Sequence, residues 1–256
     1  MISASLDCPP LDFARGERIE QMTKFLDGRL ALVTGASRGI GAATAETLAA
    51  AGAHVILTAR TSGALEEVED RIHQAGGSAT IAPLDLTESD SIARLAAAIS
   101  GRWEALDVMV LNAATLGSLT PVAAIDGKEF NRVLTLIVLA NQALIAAFDP
   151  LLRQSSAGRL LAVTSSVGAR PRAYWGAYGA SKAALETLVL SYADEVRNLS
   201  PVKVAIVDPG ATATTMRARA FPGEDPATLK PPTAVADAIA ALLQRDFDSG
   251  ERLDVR

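Results

Sequence analysis

The chain has a single cysteine, Cys8, among 256 residues. One thiol can form neither an internal disulfide nor a cysteine metal cluster, so the composition suits a reducing, cytoplasmic setting. Long apolar runs are missing as well. The stretch 133–140, interrupted by Thr135, falls far short of the roughly 20 apolar residues that span a bilayer, so no membrane association is expected. Basic side chains number 24 and acidic ones 29, giving a formal charge of -5, and the two signs are interspersed. That pattern leaves no basic stripe for nucleic acid and no polybasic membrane anchor. Only two histidines occur, His54 opening an apolar run and His73 in a charged one, and neither has metal-ligand company. With no HExxH and no Cys/His cluster, no metal site is expected; the serine-hydrolase elbow GxSxG is absent too.

No linker-rich run, low-complexity segment or fixed-period repeat divides the chain. A chain of this length can bury one large core, so a single domain is expected. Residues 1–24 lack the basic start, apolar centre and small-residue cleavage site of a signal peptide, and they show neither helical nor strand period. They are expected to be a poorly ordered extension ahead of a domain at 25–256.

From Arg29 onward, short apolar runs alternate with longer helical patterns, which predicts an α/β fold with a doubly wound parallel sheet covered on both faces. Strands are expected at 30–34, 54–58, 79–83, 108–111, 160–164 and 202–207, each apolar enough to be buried on both sides. Helices are expected at 39–51, 126–152, 176–198 and 233–244. Thr87 with Asp90 three residues later reads as a capping box opening a further helix through residue 98.

The first strand runs into Gly35, Ala36, Ser37, Arg38, Gly39, Ile40 and Gly41, and then into a helix. Gly35 permits a tight turn, Gly39 removes a Cβ that would block a pyrophosphate, and Gly41 lets the helix pack closely. Free N–H groups at the helix start favour a dianion. Three glycines in a turn say little alone; the strand before and the helix after give them weight. No acid ends the second strand, where Ala59 and Arg60 stand, and Arg38 lies inside the glycine turn. An acid there would accept from a ribose 2′-hydroxyl, whereas a pair of arginines favours a 2′-phosphate.

The run TGASRGIG at Thr34–Gly41 resembles the TGxxxGxG turn of the short-chain dehydrogenase/reductase family, and the resemblance covers most of 27–245. It implies a Rossmann-type fold, a nicotinamide cofactor and hydride transfer between that cofactor and a carbonyl or alcohol. With the two arginines, the preferred cofactor is NADP(H). The resemblance also implies that Asp85 and Leu86 contact adenine and that Asn112 and Ala113 begin the family's NAG motif, with Ala114 replacing its glycine. Pro209 and Gly210 match the turn supporting the nicotinamide, and Thr212 is placed to reach the carboxamide or phosphates.

Carbonyl reduction needs a proton donor beside the oxygen that gathers charge, and an unperturbed tyrosine, with a pKa of about 10, is a weak one near neutrality. Tyr178 and Lys182 lie at i and i+4 on an expected helix, so the ammonium should depress the phenol and hold the nicotinamide ribose, which makes both residues cofactor-binding as well. They occupy the family's YxxxK positions. Ser165, 13 residues before Tyr178, matches the family's serine, with Ser166 as the fallback. One departure stands out: the family's asparagine, which anchors a water relaying protons to the lysine, belongs 28 residues before the serine, where Ile137 stands. Asn141, one helical turn on, is a possible stand-in. An enzyme is therefore expected, with an NADP(H)-binding sensor or scaffold of little turnover as the alternative.

The segment 211–232, rich in proline, reads as a substrate lid. Met216, Phe221 and Leu229 would make its inner face apolar, while Arg217, Arg219, Arg170 and Arg172 suggest an anionic or thioester-carried substrate. A 3-oxoacyl thioester is one candidate among ketones and aldehydes. The apolar run 133–148 has more greasy surface than one sheet face needs, which with the family's habit of pairing through long helices suggests a homodimer or homotetramer.

Overall fold

A computed structural model describes residues 24–256, so the expected N-terminal extension lies, but for Lys24, outside the described residues. Seven strands form one parallel sheet: β1 (Leu30–Thr34), β2 (His54–Thr58), β3 (Ser78–Ile81), β4 (Val108–Leu111), β5 (Arg159–Val163), β6 (Lys203–Asp208) and β7 (Glu251–Asp254). The helices are α1 (Gly39–Ala50), α2 (Ser62–Gln74), α3 (Ser91–Ser100), α4 (Gly127–Leu134), α5 (Ala140–Gln154), α6 (Ser166–Ala169), α7 (Gly176–Val196), α8 (Thr215–Ala220) and α9 (Pro232–Gln244).

Side chains alternate across each strand and so feed two cores. Leu30 and Leu32 of β1, with Met109 and Leu111 of β4, meet Ile92, Leu144, Phe148, Leu185 and Val189 from α3, α5 and α7. Ala31, Val33, Val108 and Val110 face the other way, against Leu48, Leu65, Val68, Val235 and Ile239 from α1, α2 and α9. Every residue of β1 and β4 is buried, because both strands have a neighbour on each side and a helix layer on each face. Burying one such Leu or Val side chain contributes about 1.5–3 kcal/mol.

Strand order is β3-β2-β1-β4-β5-β6-β7, so the chain reverses direction of travel across the sheet between β1 and β4. The carboxyl ends of those two strands, with Gly35 beyond one and Asn112 beyond the other, open the crevice where ligands bind in such sheets. At the opposite end Asp107 ties the same strands together. Its carboxylate accepts from Arg29 at 2.8 Å, from the Leu30 N–H at 2.9 Å and from the Ser155 hydroxyl at 2.7 Å.

Three features depart from the sequence expectation. β7 is the first: Glu251–Asp254 is short, polar and only half-buried, so it carries no apolar signal, yet it pairs with β6 at the sheet edge. The second is the long helix from Gly127 to Gln154, which contains a π turn at Thr135–Leu139. The helix is long and apolar enough to cross a membrane by length and composition, but Ile137, Leu144, Phe148 and Leu152 pack into the core. Third, no capping box forms at Thr87: both its N–H and its hydroxyl donate to Asp85 Oδ1, at 2.9 and 2.7 Å. Asp85 competes locally for those donors, and α3 starts later, at Ser91, after Asp90 in a left-handed conformation.

Asp107→Ala removes three accepted hydrogen bonds at a buried site and should cost about 2–3 kcal/mol. Urea unfolding would show this as a lowered midpoint at unchanged slope; an unaltered midpoint would mean the clamp does not hold β1 to β4.

Candidate active site

The glycine turn is shaped by contacts that leave no room for side chains. A Cβ on Gly41 would lie 2.2 Å from the Gly35 carbonyl oxygen and 2.5 Å from Asn112 Nδ2. Gly39 differs. Its φ is +57°, and the nearest atom to an added Cβ is Thr214 Cγ2 at 3.5 Å, so its open side faces the cleft. No side chain caps the start of α1, and no acid stands in its first turn. An uncapped, unopposed helix start beside a bare glycine fits a pyrophosphate.

Asn112 contributes from behind this turn. Its amide donates to the carbonyl oxygens of Thr34 at 2.9 Å and Gly35 at 3.3 Å, while the N–H groups of Asn112 and Ala113 share Thr34 Oγ1. It thereby fixes the turn's shape. Arg38 and Arg60 are both exposed, and neither forms an ion pair among the described residues. Arg60 lies near enough to Asp85 to add to the lowering of its carboxyl, which comes first from the Thr87 hydroxyl. Leu86 is buried beside α3. Thr212 is buried too, and its hydroxyl donates to the Pro209 carbonyl at 2.9 Å, bracing the turn at Gly210. Ser37 and Ile40 flank Arg38 and Gly39 at the mouth of the turn, both half-buried.

Tyr178 and Lys182 sit on α7 with 7% and 2% of their surface exposed. The Lys182 Nζ lies 5.7 Å from the centre of the Tyr178 ring and donates to the Val163 carbonyl of β5 at 2.7 Å. Burial pulls the Lys182 pKa down to about 8, with Glu186 opposing the fall. Burial also pushes the Tyr178 phenol well above its usual range, and the Asp208 carboxylate adds to the rise. The expectation that the ammonium lowers the phenol is therefore not met. Desolvation of the phenolate outweighs a cation that points its proton at a backbone carbonyl. Ser165 ends the strand segment after β5 in an extended conformation, half-buried, just before α6, which packs against α7. Ser166 is exposed.

Ile137 is fully buried in the core, and its carbonyl oxygen accepts from Asn141 Nδ2 at 2.8 Å. The stand-in amide is thus folded back on its own helix at the π turn, while its buried Oδ1 has no partner. Glu186 was not singled out from the sequence, although it continues the i, i+4 stripe from Tyr178 through Lys182. Its carboxylate accepts from Thr164 Oγ1 at 2.5 Å and from Arg252 of β7 at 3.0 Å. Of the four arginines expected to meet an anionic substrate, one departs. Arg217 is not free for an anion, because Glu224 takes its Nε and Nη2 at 2.6 and 2.5 Å. Arg170, Arg172 and Arg219 are exposed.

The family model for short chain dehydrogenase matches residues 29–225. YciK of Escherichia coli (strain K12), described as an uncharacterized oxidoreductase, is 39% identical over 224 residues, covering 86% of this chain and 88% of that protein. A short chain dehydrogenase from Shigella flexneri 2a str. 301, solved in complex with NADP, is 36% identical with a TM-score of 0.87, covering 91% of this chain and 99% of its own. Another from Escherichia coli CFT073, solved with NADPH, is 38% identical with a TM-score of 0.85, covering 91% and 98%. The parallel sheet, the glycine turn and the Tyr178–Lys182 pair define a nucleotide-binding oxidoreductase fold, and the chain belongs to the short-chain dehydrogenase family.

The buried lysine has a consequence for stability. Because its folded pKa, about 8, lies below its ordinary 10.5, the unfolded chain binds more protons between those values, and stability rises with pH in that window. The cost of burying the ammonium is fully present below about 8 and is relieved above it. Lys182→Met should flatten the rise of the thermal midpoint between about 8 and the ordinary tyrosine value of 10.0, above which the raised Tyr178 acts in the opposite sense. Parallel midpoint curves for both proteins would contradict the burial.

Proposed function

We propose that the chain is an NADP(H)-dependent oxidoreductase that moves a hydride between the nicotinamide and a carbonyl or secondary alcohol. The observation that carries this reading is the buried Tyr178–Lys182 pair on α7, whose lysine donates to the last residue of β5, two residues before Ser165. The residues fit the cofactor. The uncapped start of α1 and the open side of Gly39 would hold the pyrophosphate, and Arg38 and Arg60 the 2′-phosphate. Asp85 and Leu86 would border the adenine, and the braced turn of Pro209, Gly210 and Thr212 the nicotinamide end. The NADP and NADPH seen in the Shigella flexneri and Escherichia coli relatives support the same choice.

When bound, the reduced nicotinamide supplies a hydride to the carbonyl carbon and leaves oxidised, while the carbonyl oxygen takes up a proton. Ser165 donates a hydrogen bond to that oxygen and orients it. Tyr178 Oη holds the proton to be given, and its raised pKa keeps it protonated across the neutral range. Lys182, ionised below about 8, supplies the positive charge that favours proton release as the oxygen becomes negative.

A second reading, an NADP(H)-binding sensor or scaffold with little turnover, is favoured by Ile137, whose carbonyl is occupied by Asn141. The exposed Leu139, in the π turn, and Leu190, on α7, suit pairing with a second copy of the chain. A cytoplasmic setting suits the single cysteine.

Tyr178→Phe should lower kcat for NADPH-dependent carbonyl reduction by about a hundredfold or more while leaving NADPH affinity unchanged. Tight NADPH binding with no turnover by the unaltered protein would instead support the sensor reading. The double substitution Arg38→Ala with Arg60→Ala should weaken NADPH about tenfold or more and leave NADH unaffected, as titrations of cofactor fluorescence would show. Equal weakening of both cofactors would exclude the arginines as phosphate readers. Ile137→Asn should raise kcat, and a rate that stays level or falls would mean that the missing relay does not limit the reaction.

A further inference from the structure

Three residues before Tyr178, at the N-terminal boundary of α7, stands Trp175. Its ring meets Tyr178 edge-on, with centroids 6.0 Å apart and planes at 64°. Phe221 from the end of α8 also lies against it, with centroids 5.7 Å apart and planes at 33°. The Arg217 guanidinium covers Phe221 at 3.8 Å from the ring centre, and Glu224 grips that guanidinium from both nitrogens. A continuous stack therefore runs from the proton-donating phenol outward through Trp175, Phe221 and Arg217 to Glu224.

Local backbone features hold this stack in place. Tyr174 adopts a left-handed φ of +71°, unusual for a side chain of its size, and its carbonyl is fixed by the Thr120 N–H at 3.0 Å. Such a conformation costs about 1–3 kcal/mol and persists only where the surroundings impose it. It leaves Tyr174 59% exposed while Trp175 packs inward against the core. On the lid, Thr214 caps α8 by accepting from the Arg217 N–H at 3.1 Å. Met216 and Ala220, at i and i+4 on α8, pack against the same core cluster as Trp175, as do Ala114 and Leu119. Trp175 thus places an aromatic ring against the phenol, and the guanidinium over Phe221 is already paired with Glu224.

We infer that Trp175 and Phe221 are specificity-determining residues, and that the substrate carries an uncharged, flat apolar group, aryl or unsaturated cyclic, next to its carbonyl. Arg217 and Glu224 act as positioning residues that keep Phe221 against Trp175 and withhold the lid's inner cation from anionic substrates. This inference rests on the proposed reading of Tyr178 as proton donor. It replaces charge recognition with stacking, because an aromatic face gains from a flat partner whereas a carboxylate placed there would lose its water against an apolar wall.

The test separates binding from turnover. The chain has two tryptophans, so Trp103→Phe leaves Trp175 as the one reporter of the cleft. In that background, with NADP bound to prevent reduction, Trp175 fluorescence is titrated with acetophenone and with its para-carboxylate; NADPH oxidation with both is followed in parallel. Acetophenone should quench at concentrations about tenfold or more lower than the carboxylate, with kcat/KM following the same order. Phe221→Ala should erase most of that preference through KM, Phe221→Leu should restore part of it, and Glu224→Gln should improve the carboxylate by releasing Arg217. A carboxylate bound as well as acetophenone, or a preference unmoved by Phe221→Ala, would overturn the inference. Reduction of carbonyls without a neutral preference refutes this inference alone. The expected quenching without any NADPH oxidation upholds the stack and refutes the reductase reading.

Discussion

The structure depends on keeping a lysine ammonium away from water. Lys182 is buried behind the end of β5, and among the described residues the compensation close at hand is one backbone carbonyl and the carboxylate a helical turn away. A lone buried ammonium would be costly, so the surroundings are arranged around it. Glu186 is braced by Thr164, the residue before Ser165, and by Arg252 from the last strand. The edge strand β7 thus reaches back to support α7. A polar strand with little core to fill would otherwise contribute only one hydrogen-bonded edge.

The same economy appears across the sheet. Asn112 serves as a bracket that holds the glycine turn open, and Thr34 shares its hydroxyl with two N–H groups to hold Asn112 in place. The glycines then present an unfilled helix start rather than a packed one. At the far end of the same strands, Asp107 fixes the spacing from which that crevice opens. The site's electrostatics follow from burial: the phenol is raised and the amine lowered, so each is driven toward its neutral form until a negatively charged oxygen beside them changes the balance.

The sequence is most legible where two independent patterns agree. β1, β2 and β4 are read residue for residue, because a short apolar strand bounded by turn residues has few alternatives. The glycine turn is legible through the strand before it and the helix after it, and the Tyr178–Lys182 pair through the family resemblance that its spacing carries. Features decided by competition between side chains are not. Asp85 takes the donors of Thr87 and so abolishes a capping box that the local pattern offers. Glu224, seven residues from Arg217, neutralises a cation that the sequence pattern leaves unpaired. The π turn at Thr135–Leu139 changes no apolar spacing strongly enough to be read, and the bond from Asn141 back to the Ile137 carbonyl within it leaves no sequence signal. β7 is hidden because edge strands need little apolar character.

The central claim is that this cleft carries hydride from a nicotinamide to a carbonyl carbon. Deuterium placed at C4 of NADPH, on each face in turn, tests it most directly when the products of a ketone and aldehyde panel are analysed by mass spectrometry. The account predicts that label from one face appears on the carbinol carbon of at least one product. Tight NADPH binding with no label transferred to any carbonyl would contradict it.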